Sequence, residues 1–112
     1  DTLHLVLAFN YGGRAELASA ARRIAEEVAE GRLRPDDVDE GAVADRLSVP
    51  GMPDVDLVVR TSGEQRISNF LLWQAAYAEY VFPDCYWPEF GAQRLVDAVA
   101  EYQGRRRRFG AV

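Results

Sequence analysis

Residues 56–74 read DLVVRTSGEQRISNFLLWQ, which is an apolar run, a polar stretch and a second apolar run in succession. The first run is apolar at every position from Leu57 to Val59. This pattern is typical of a strand that is buried on both faces of a parallel sheet. We predict a strand over 55–61, a loop over 62–69 and a helix over about 70–80. A strand followed by a helix is the repeating unit of a parallel α/β fold.

The same alternation of strand and helix extends outward in both directions from this stretch. Uninterrupted apolar runs predict strands, and apolar residues at three- or four-residue spacing predict helices. The fold class is therefore α/β, with a parallel sheet flanked by helices. Before this stretch we predict a buried strand over 3–9, a helix over 14–30 and a short helix capped by Asp39 that runs through Leu47. The helix over 14–30 has its apolar stripe at Leu17, Ala21, Ile24 and Val28 and its cap at Gly31. After this stretch we predict a short strand over 80–82 and a last helix containing Leu95, Val99 and Tyr102.

Composition restricts the classes of function. The chain has 112 residues and a net charge of −5, and all 13 of its basic residues are arginine. An acidic chain is a poor general binder of nucleic acid or membrane surfaces, despite the four arginines at 105–108. The single cysteine, Cys85, excludes an internal disulfide and a multi-cysteine metal site. The single histidine, His4, falls within a predicted buried strand and is interpreted as structural. We expect a protein that does not bind nucleic acid and that is cytoplasmic, with a position peripheral to the membrane as the alternative.

The polar stretch between the two apolar runs carries the residues best suited to a ligand. Arg60 stands at the carboxyl end of the predicted strand, where open parallel sheets place their ligands. Arg66 follows in the loop, and Ser68 lies at the start of the predicted helix. Two arginines, hydroxyl groups and a helix N-terminus together form a cradle for a phosphate or diphosphate. The alternative, a solvated surface loop in which Ser68 merely caps the helix, stays open on spacing alone.

Residues 56–74 closely resemble the signature of the cis-prenyltransferases, the undecaprenyl (polyprenyl) diphosphate synthase family, which includes short-chain Z-prenyl diphosphate synthases. The resemblance covers essentially the whole chain in order, through the blocks NYGGR at 10–14, YAE at 77–79, WP at 87–88 and RRFG at 107–110. It implies transfer of an allylic prenyl group to isopentenyl diphosphate, with formation of a cis double bond and release of diphosphate. The implied substrates are isopentenyl diphosphate and an allylic diphosphate, farnesyl or geranyl diphosphate.

The resemblance also implies roles for particular residues. Glu79 is the implied Mg2+ ligand, although a lone carboxylate on a predicted helix is usually solvated. The terminal Arg-x-Gly motif implies a homodimer, because in related enzymes it reaches the diphosphate site across the dimer interface. Trp73 and Tyr77, four apart on a predicted helix face, are interpreted as core or subunit contacts. The implied substrate-binding positions are Arg60, Arg66, Ile67, Ser68, Arg108 and Gly110.

One motif of the family is missing from these 112 residues. The Asp-Gly-Asn-Gly-Arg-Trp loop binds the allylic diphosphate and supplies the catalytic aspartate, and the chain contains no Asp-Gly pair. We therefore expect residues 1–112 to be the C-terminal half of a single cis-prenyltransferase domain. This chain then holds no catalytic residue and is inactive without the N-terminal half. Some relatives carry histidine at position 65, and no metal role is assigned to Gln65.

Two other classes of function stay open at this point. The first is a non-catalytic accessory subunit of a heterodimeric prenyltransferase, against which the intact Arg60, Arg66 and Ser68 argue. The second is a small anion-binding or nucleic-acid-binding domain, which would show steep salt dependence and no response to isopentenyl diphosphate. The common products of the family are long prenyl carriers for cell-wall synthesis, which associate with membranes, and a short-chain product is the alternative.

Overall fold

The structure is a computed structural model that describes residues 3–105 and residue 109. The chain divides into two compact units, Asp1–Met52 with Asn69–Leu71, and Pro53–Ser68 with Leu72–Val112. Short 3-10 turns occur at Pro35–Asp37 and Trp87–Glu89. The regular elements of the described residues are the helices α1 (Gly13–Ala29), α2 (Glu40–Ala44) and α3 (Ala92–Gln103) and the strands β1 (Leu57–Val59) and β2 (Glu79–Val81).

Helix α1 is the main element of the first unit and confirms the helix predicted over 14–30. Its buried residues are Gly13, Glu16 and Ala20, so the buried face is rotated from the predicted apolar stripe, whose members are half-buried or exposed. The helix ends as predicted, because Gly31 adopts a φ of 75° and its N–H donates to the carbonyl of Val28 at 3.1 Å.

Helix α2 begins at the predicted cap and is shorter than predicted. The Asp39 carboxylate accepts a hydrogen bond from the backbone N–H of Ala42 at 2.9 Å. The helix ends at Ala44 rather than at Leu47. Arg46 then fastens this segment to α1, since its Nη2 lies 2.6 Å from Glu27 Oε1 and its Nε lies 2.9 Å from Glu27 Oε2. The hydrogen bond from Arg46 lowers the pKa of the Glu27 carboxyl group.

The second unit is built on a parallel pair of strands. Leu57 pairs with Glu79 and Val59 with Val81, which confirms the strands predicted over 55–61 and 80–82. Helix α3 confirms the predicted last helix and packs against β2. The residues of β1 are half-buried, whereas the sequence predicted burial on both faces. The reason is that the sheet has only two strands within the described residues. None of the described helices is long and apolar enough to cross a bilayer.

The strand predicted over 3–9 is wrong for this structure. No strand forms over the described part of that segment. The side chains of Leu3, Leu5 and Phe9 are 82%, 78% and 80% exposed, and His4 is exposed as well. A strand needs a hydrogen-bonded neighbour. The only sheet among the described residues pairs β1 with β2 and leaves this segment unpaired.

The helix predicted over 70–80 is also wrong. The segment forms consecutive turns, with i to i+3 hydrogen bonds such as Ala78 N–H to the carbonyl of Ala75 at 3.1 Å. Left-handed backbone at Ser68, Asn69 and Leu71, with φ of 52°, 63° and 49°, prevents a right-handed helix from starting here. The apolar spacing over 70–80 favours a helix, but this backbone conformation overrides that preference.

The loss of this helix changes the setting of its two aromatic residues. Trp73 and Tyr77 do not share a helix face, because no helix exists there. Trp73 is half-buried, whereas Tyr77 is 55% exposed. The ring of Tyr77 meets the ring of Phe109 edge to face, with centroids 6.4 Å apart. Tyr77 therefore contacts the end of the described chain rather than a helical core.

Candidate functional site

Arg60 organises the polar loop that follows β1. Its backbone N–H donates to the carbonyl of Val81 at 3.0 Å, which is one of the hydrogen bonds that pair Val59 with Val81. Its half-buried side chain turns into the loop, where Nη1 donates to the carbonyl of Arg66 at 2.7 Å and to Ser68 Oγ at 2.8 Å. The loop is thus closed around one guanidinium group. Nε and Nη2 lie outside these two hydrogen bonds and are the atoms suited to an anion.

Arg66 contributes its backbone to this closure and keeps its side chain in solvent. Its Nε lies 3.2 Å from Glu64 Oε2, and the two side chains are 74% and 44% exposed. An ion pair so exposed is worth little and is easily exchanged for a stronger anion. Ile67, between Arg66 and Ser68, is exposed and offers only an apolar side chain.

The cradle differs from the prediction in one component. No helix begins after Ser68, so the site has no helix N-terminus directed at an anion. The Ser68 hydroxyl is not a helix cap and instead accepts a hydrogen bond from Arg60. Ser62 and Gly63 adopt successive left-handed conformations, with φ of 68° and 70°. The groups suited to an anion are therefore guanidinium and hydroxyl groups in an irregular loop.

Glu79 lies on strand β2, which corrects its predicted place on a helix. It pairs with Leu57 at the amino-terminal end of the ladder, whereas Arg60 follows the carboxyl end of β1. The two residues are therefore separated by three strand positions, about 10 Å along the ladder. The Glu79 carboxylate is 3.5 Å from Nη1 of Arg105. Arg105 also contacts the carbonyl of Tyr80 through Nη1 and the carboxylate of Glu101 through Nη2. The structure thus brings Arg60, Arg66 and Ser68 together and places Glu79 in a second group.

The residues around Glu79 fit a metal only in a limited sense. Among the described residues, no group of three or more histidine, cysteine, aspartate or glutamate side chains could hold a metal ion. Mg2+ is commonly held by one or two carboxylates together with substrate phosphates. Glu79 therefore suits a Mg2+ ion that arrives with a diphosphate and does not suit a bare ion.

The block at 10–14 carries a buried polar cluster that the sequence analysis did not single out. The Tyr11 hydroxyl donates to the carboxylate of Glu16, which is buried and also accepts from the backbone N–H of Ser48 at 2.9 Å. Burial, followed by the hydrogen bond and charge of Glu16, raises the pKa of Tyr11 to about 12. Tyr11 therefore stays protonated as a hydrogen-bond donor throughout the neutral range.

Asn69 is the second residue that the sequence analysis missed. Its backbone carbonyl accepts from the N–H of Gly13 at 2.7 Å, and its side-chain Oδ1 accepts from the N–H of Arg14 at 2.8 Å. An asparagine at the junction of a loop and a predicted helix is a signal for left-handed backbone. Arg108 and Gly110, the two predicted positions of the terminal motif, lie outside the described residues.

The described chain is an α/β protein in which an arginine-containing loop follows the carboxyl end of a parallel strand. The family model described as "Putative undecaprenyl diphosphate synthase" matches residues 1–110. The chain therefore belongs to the undecaprenyl diphosphate synthase family, which confirms the predicted family and fold class.

Three similar proteins illustrate this membership. An isoprenyl transferase of Agrobacterium fabrum is 54% identical over 110 residues, which are 98% of this chain and 44% of the relative. A ditrans,polycis-undecaprenyl-diphosphate synthase of Aliivibrio fischeri, (2E,6E)-farnesyl-diphosphate specific, is 54% identical over 96% of this chain and 42% of its own length. The crystal structure of lavandulyl diphosphate synthase from Lavandula x intermedia, in complex with dimethylallyl diphosphate, matches with a TM-score of 0.84 and 46% identity. That match covers 89% of this chain and 43% of the other. The chain thus spans less than half of each relative.

Proposed function

We propose that the protein containing this chain extends an allylic diphosphate with isopentenyl diphosphate in cis, and that this chain supplies the isopentenyl diphosphate site. The observation that carries the proposal is the Arg60 guanidinium, which gathers the Arg66 backbone and the Ser68 hydroxyl at the carboxyl end of β1. Two relatives support the reaction, because one is a ditrans,polycis-undecaprenyl-diphosphate synthase and the other was crystallised with dimethylallyl diphosphate, an allylic diphosphate.

In this reaction the diphosphate held by the loop is not the one that leaves. A bond forms between the terminal alkene carbon of isopentenyl diphosphate and the allylic carbon, the allylic carbon–oxygen bond breaks, and a proton leaves the extended unit. Arg60, Arg66 and Ser68 bind the diphosphate that stays on the product. Their contribution is to hold the alkene in line with the allylic carbon, which removes much of the entropic cost of bringing two substrates together. Ile67 provides an apolar contact next to them.

The remaining groups of the reaction belong to other parts of the protein in this proposal. The allylic diphosphate is bound by the family's Asp-Gly-Asn-Gly-Arg-Trp loop, which also supplies the catalytic aspartate and which this sequence does not contain. Arg108 and Gly110 take the role that the resemblance implies for the terminal Arg-x-Gly motif, which is binding of diphosphate across the interface of a homodimer. The long apolar product then partitions to a membrane surface.

We further propose that Glu79 is a ligand of Mg2+ when a substrate diphosphate is also bound. Bound Mg2+ would neutralise charge on a leaving diphosphate. The chain's own part is one carboxylate, which lies 3.5 Å from Nη1 of Arg105.

Replacing Glu79 with glutamine should raise the Mg2+ concentration for half-maximal activity of the full-length protein by about tenfold. The side chain keeps its size and loses its charge, so the effect reports the carboxylate rather than packing. The measurement is a Mg2+ titration of prenyl transfer.

The control for this substitution is Glu101→Gln, because Glu101 also contacts Arg105. If the two variants shift the Mg2+ requirement equally, the effect comes from the lost Arg105 partner and the metal role of Glu79 is wrong.

Prenyl transfer by the whole protein tests the proposed function most directly. Labelled isopentenyl diphosphate is supplied with farnesyl or geranyl diphosphate and Mg2+, and prenyl diphosphate product is measured for the full-length protein and for residues 1–112 alone. We expect product from the full-length protein and none from the 112 residues. Turnover by residues 1–112 alone would refute the assignment of the allylic site to another segment. An inactive full-length protein that binds nucleic acid with steep salt dependence would refute the function itself.

A further inference from the structure

We propose that Arg105 restrains the metal affinity of Glu79, so that this carboxylate binds a divalent cation only together with a diphosphate. The inference rests on the proposed metal role of Glu79 and deepens it, because it assigns the condition for binding to a second residue. In this proposal Arg105 touches neither the metal nor the substrate and acts through its charge. Arg105 and Glu79 belong to the same compact unit, Pro53–Ser68 with Leu72–Val112.

The guanidinium group of Arg105 is held by groups other than Glu79. Nη1 donates to the backbone carbonyl of Tyr80 on β2, and Nη2 donates to the carboxylate of Glu101, one turn earlier on α3. The backbone N–H of Arg105 donates to the carbonyl of Tyr102 at 3.0 Å, which fixes its main chain against the last turn of α3. These three contacts keep the cation in position whatever the Glu79 carboxylate binds.

The Glu79 carboxylate lies within reach of the positive charge of this cation. Its Oε1 is 3.5 Å from Nη1 of Arg105, a separation longer than a good hydrogen bond but short for a Coulomb interaction. The side chains of Arg105 and Glu79 are only 33% and 24% exposed. Salt and water screen the charges of partly buried groups less than those of exposed groups. The charge of Arg105 therefore acts on any ion that binds to Glu79.

A fixed guanidinium group makes a neighbouring carboxylate a weaker ligand for metal. A divalent cation on Glu79 shares the carboxylate with Arg105 and is repelled by it. The three side chains of Glu79, Glu101 and Arg105 together carry a single net negative charge. A diphosphate supplies the negative charge that is missing, because Mg2+ readily takes phosphate oxygens beside one carboxylate. Binding of metal at Glu79 thus becomes conditional on the substrate.

A purely structural role for Arg105 leads to a different expectation. If the residue only fastened the end of α3 to β2, its removal should loosen this unit and weaken any ligand bound to Glu79. If it restrains Glu79 through its charge, its removal should strengthen the binding of a bare cation. The direction of the change in metal affinity therefore separates the two roles.

Arg105→Gln in the full-length protein should bind Mn2+ about tenfold more tightly than the unmodified protein when no diphosphate is present. Mn2+ is the probe because it takes the same oxygen ligands as Mg2+, and electron paramagnetic resonance measures the free ion. Glutamine still offers an N–H donor to the Tyr80 carbonyl, so the variant chiefly loses the charge. Arg105→Lys keeps the charge, and its dissociation constant for Mn2+ should stay within about twofold of the unmodified value.

Two controls assign the gain to the Glu79 carboxylate. Combining Arg105→Gln with Glu79→Gln should abolish the gain, and this comparison also subtracts other metal sites of the full-length protein. Arg94→Gln removes an exposed positive charge from the same helix and should leave the Mn2+ affinity within about twofold. Equal Mn2+ affinities in Arg105→Gln and Arg94→Gln would overturn the inference, as would a gain that survives Glu79→Gln. Arg105→Met, which keeps an apolar stem without the charge, gives the same comparison if Arg105→Gln does not fold.

The Mg2+ titration of Glu79→Gln separates this inference from the proposed function. An unchanged Mg2+ requirement in Glu79→Gln defeats the metal role of Glu79 and this inference with it. A raised requirement in Glu79→Gln, with the Mn2+ affinity of Arg105→Gln equal to that of the unmodified protein, defeats only the restraint by Arg105.

Discussion

Replacing Arg60 with alanine should lower kcat/KM for isopentenyl diphosphate by about 30- to 1,000-fold, which corresponds to roughly 2–4 kcal/mol. The expected loss is large because the guanidinium has two tasks. Nη1 closes the loop by binding the Arg66 carbonyl and the Ser68 hydroxyl, and the other two nitrogen atoms are suited to the diphosphate. Steady-state kinetics of the full-length protein, with isopentenyl diphosphate varied at saturating allylic diphosphate, measures the loss.

Two further variants separate these tasks from the loss of a positive charge. Arg94→Ala removes one charge from an exposed position on α3, and its kinetics should remain within about twofold of the unmodified protein. Arg60→Lys keeps the charge and loses the planar fork, so its kcat/KM should fall between the two. Unchanged kinetics in Arg60→Ala would refute the assignment of this loop to isopentenyl diphosphate.

The strand and the loop that carry Arg60, Arg66 and Ser68 were predictable because the pattern that indicates them is local. A run of apolar residues at 57–59 identified a parallel strand, and the position of Arg60 at its end predicted a ligand-facing side chain. The structure confirms the strand, the loop and the parallel pairing with β2. It also shows something that spacing does not reveal, namely that Arg60 donates hydrogen bonds to the loop itself.

The two wrongly predicted elements are the strand over 3–9 and the helix over 70–80. Both were wrong because the structure of these segments depends on partners distant in the chain. The apolar run at 3–9 had the composition of a strand, but the sheet of the described residues pairs only β1 with β2. Residues 70–80 had a helical pattern, but left-handed backbone at Asn69 and Leu71 redirects the chain to the start of α1. No local propensity encodes a hydrogen bond between residues 55 positions apart, such as that from Arg14 N to Asn69 Oδ1.

Glu79 illustrates the difference between a motif and its geometry. The resemblance singled out the residue without fixing its secondary structure, and the false helix over 70–80 included it. Successive residues of a strand point to opposite faces of the sheet. On β2, Glu79 contacts Arg105 rather than the Arg60 loop. A role for Glu79 therefore depends on a second diphosphate or on substrate-borne metal, which is why its test measures Mg2+ dependence.

Replacing Arg66 with alanine should raise the KM for isopentenyl diphosphate about 30-fold, roughly 2 kcal/mol, the lower end of the range for Arg60. The difference has a structural reason. The contribution of Arg66 to loop closure is its backbone carbonyl, which alanine retains, so this variant removes only the side-chain charge. Because the side chain is 74% exposed, the KM of the unmodified protein should rise with salt more steeply than that of the variant.

Glu64→Gln provides the opposite test of the same interaction. Glu64 holds Nε of Arg66 at 3.2 Å, and an exposed pair of this kind contributes little to stability. Its removal should therefore leave the urea midpoint nearly unchanged while freeing the guanidinium for the diphosphate. The KM for isopentenyl diphosphate should then fall by about two- to fivefold, and this gain should disappear in the Arg66→Ala background. A gain that persists without Arg66 would show that Glu64 acts by general repulsion of the diphosphate, and Arg66 would then lose its place among the substrate-binding residues.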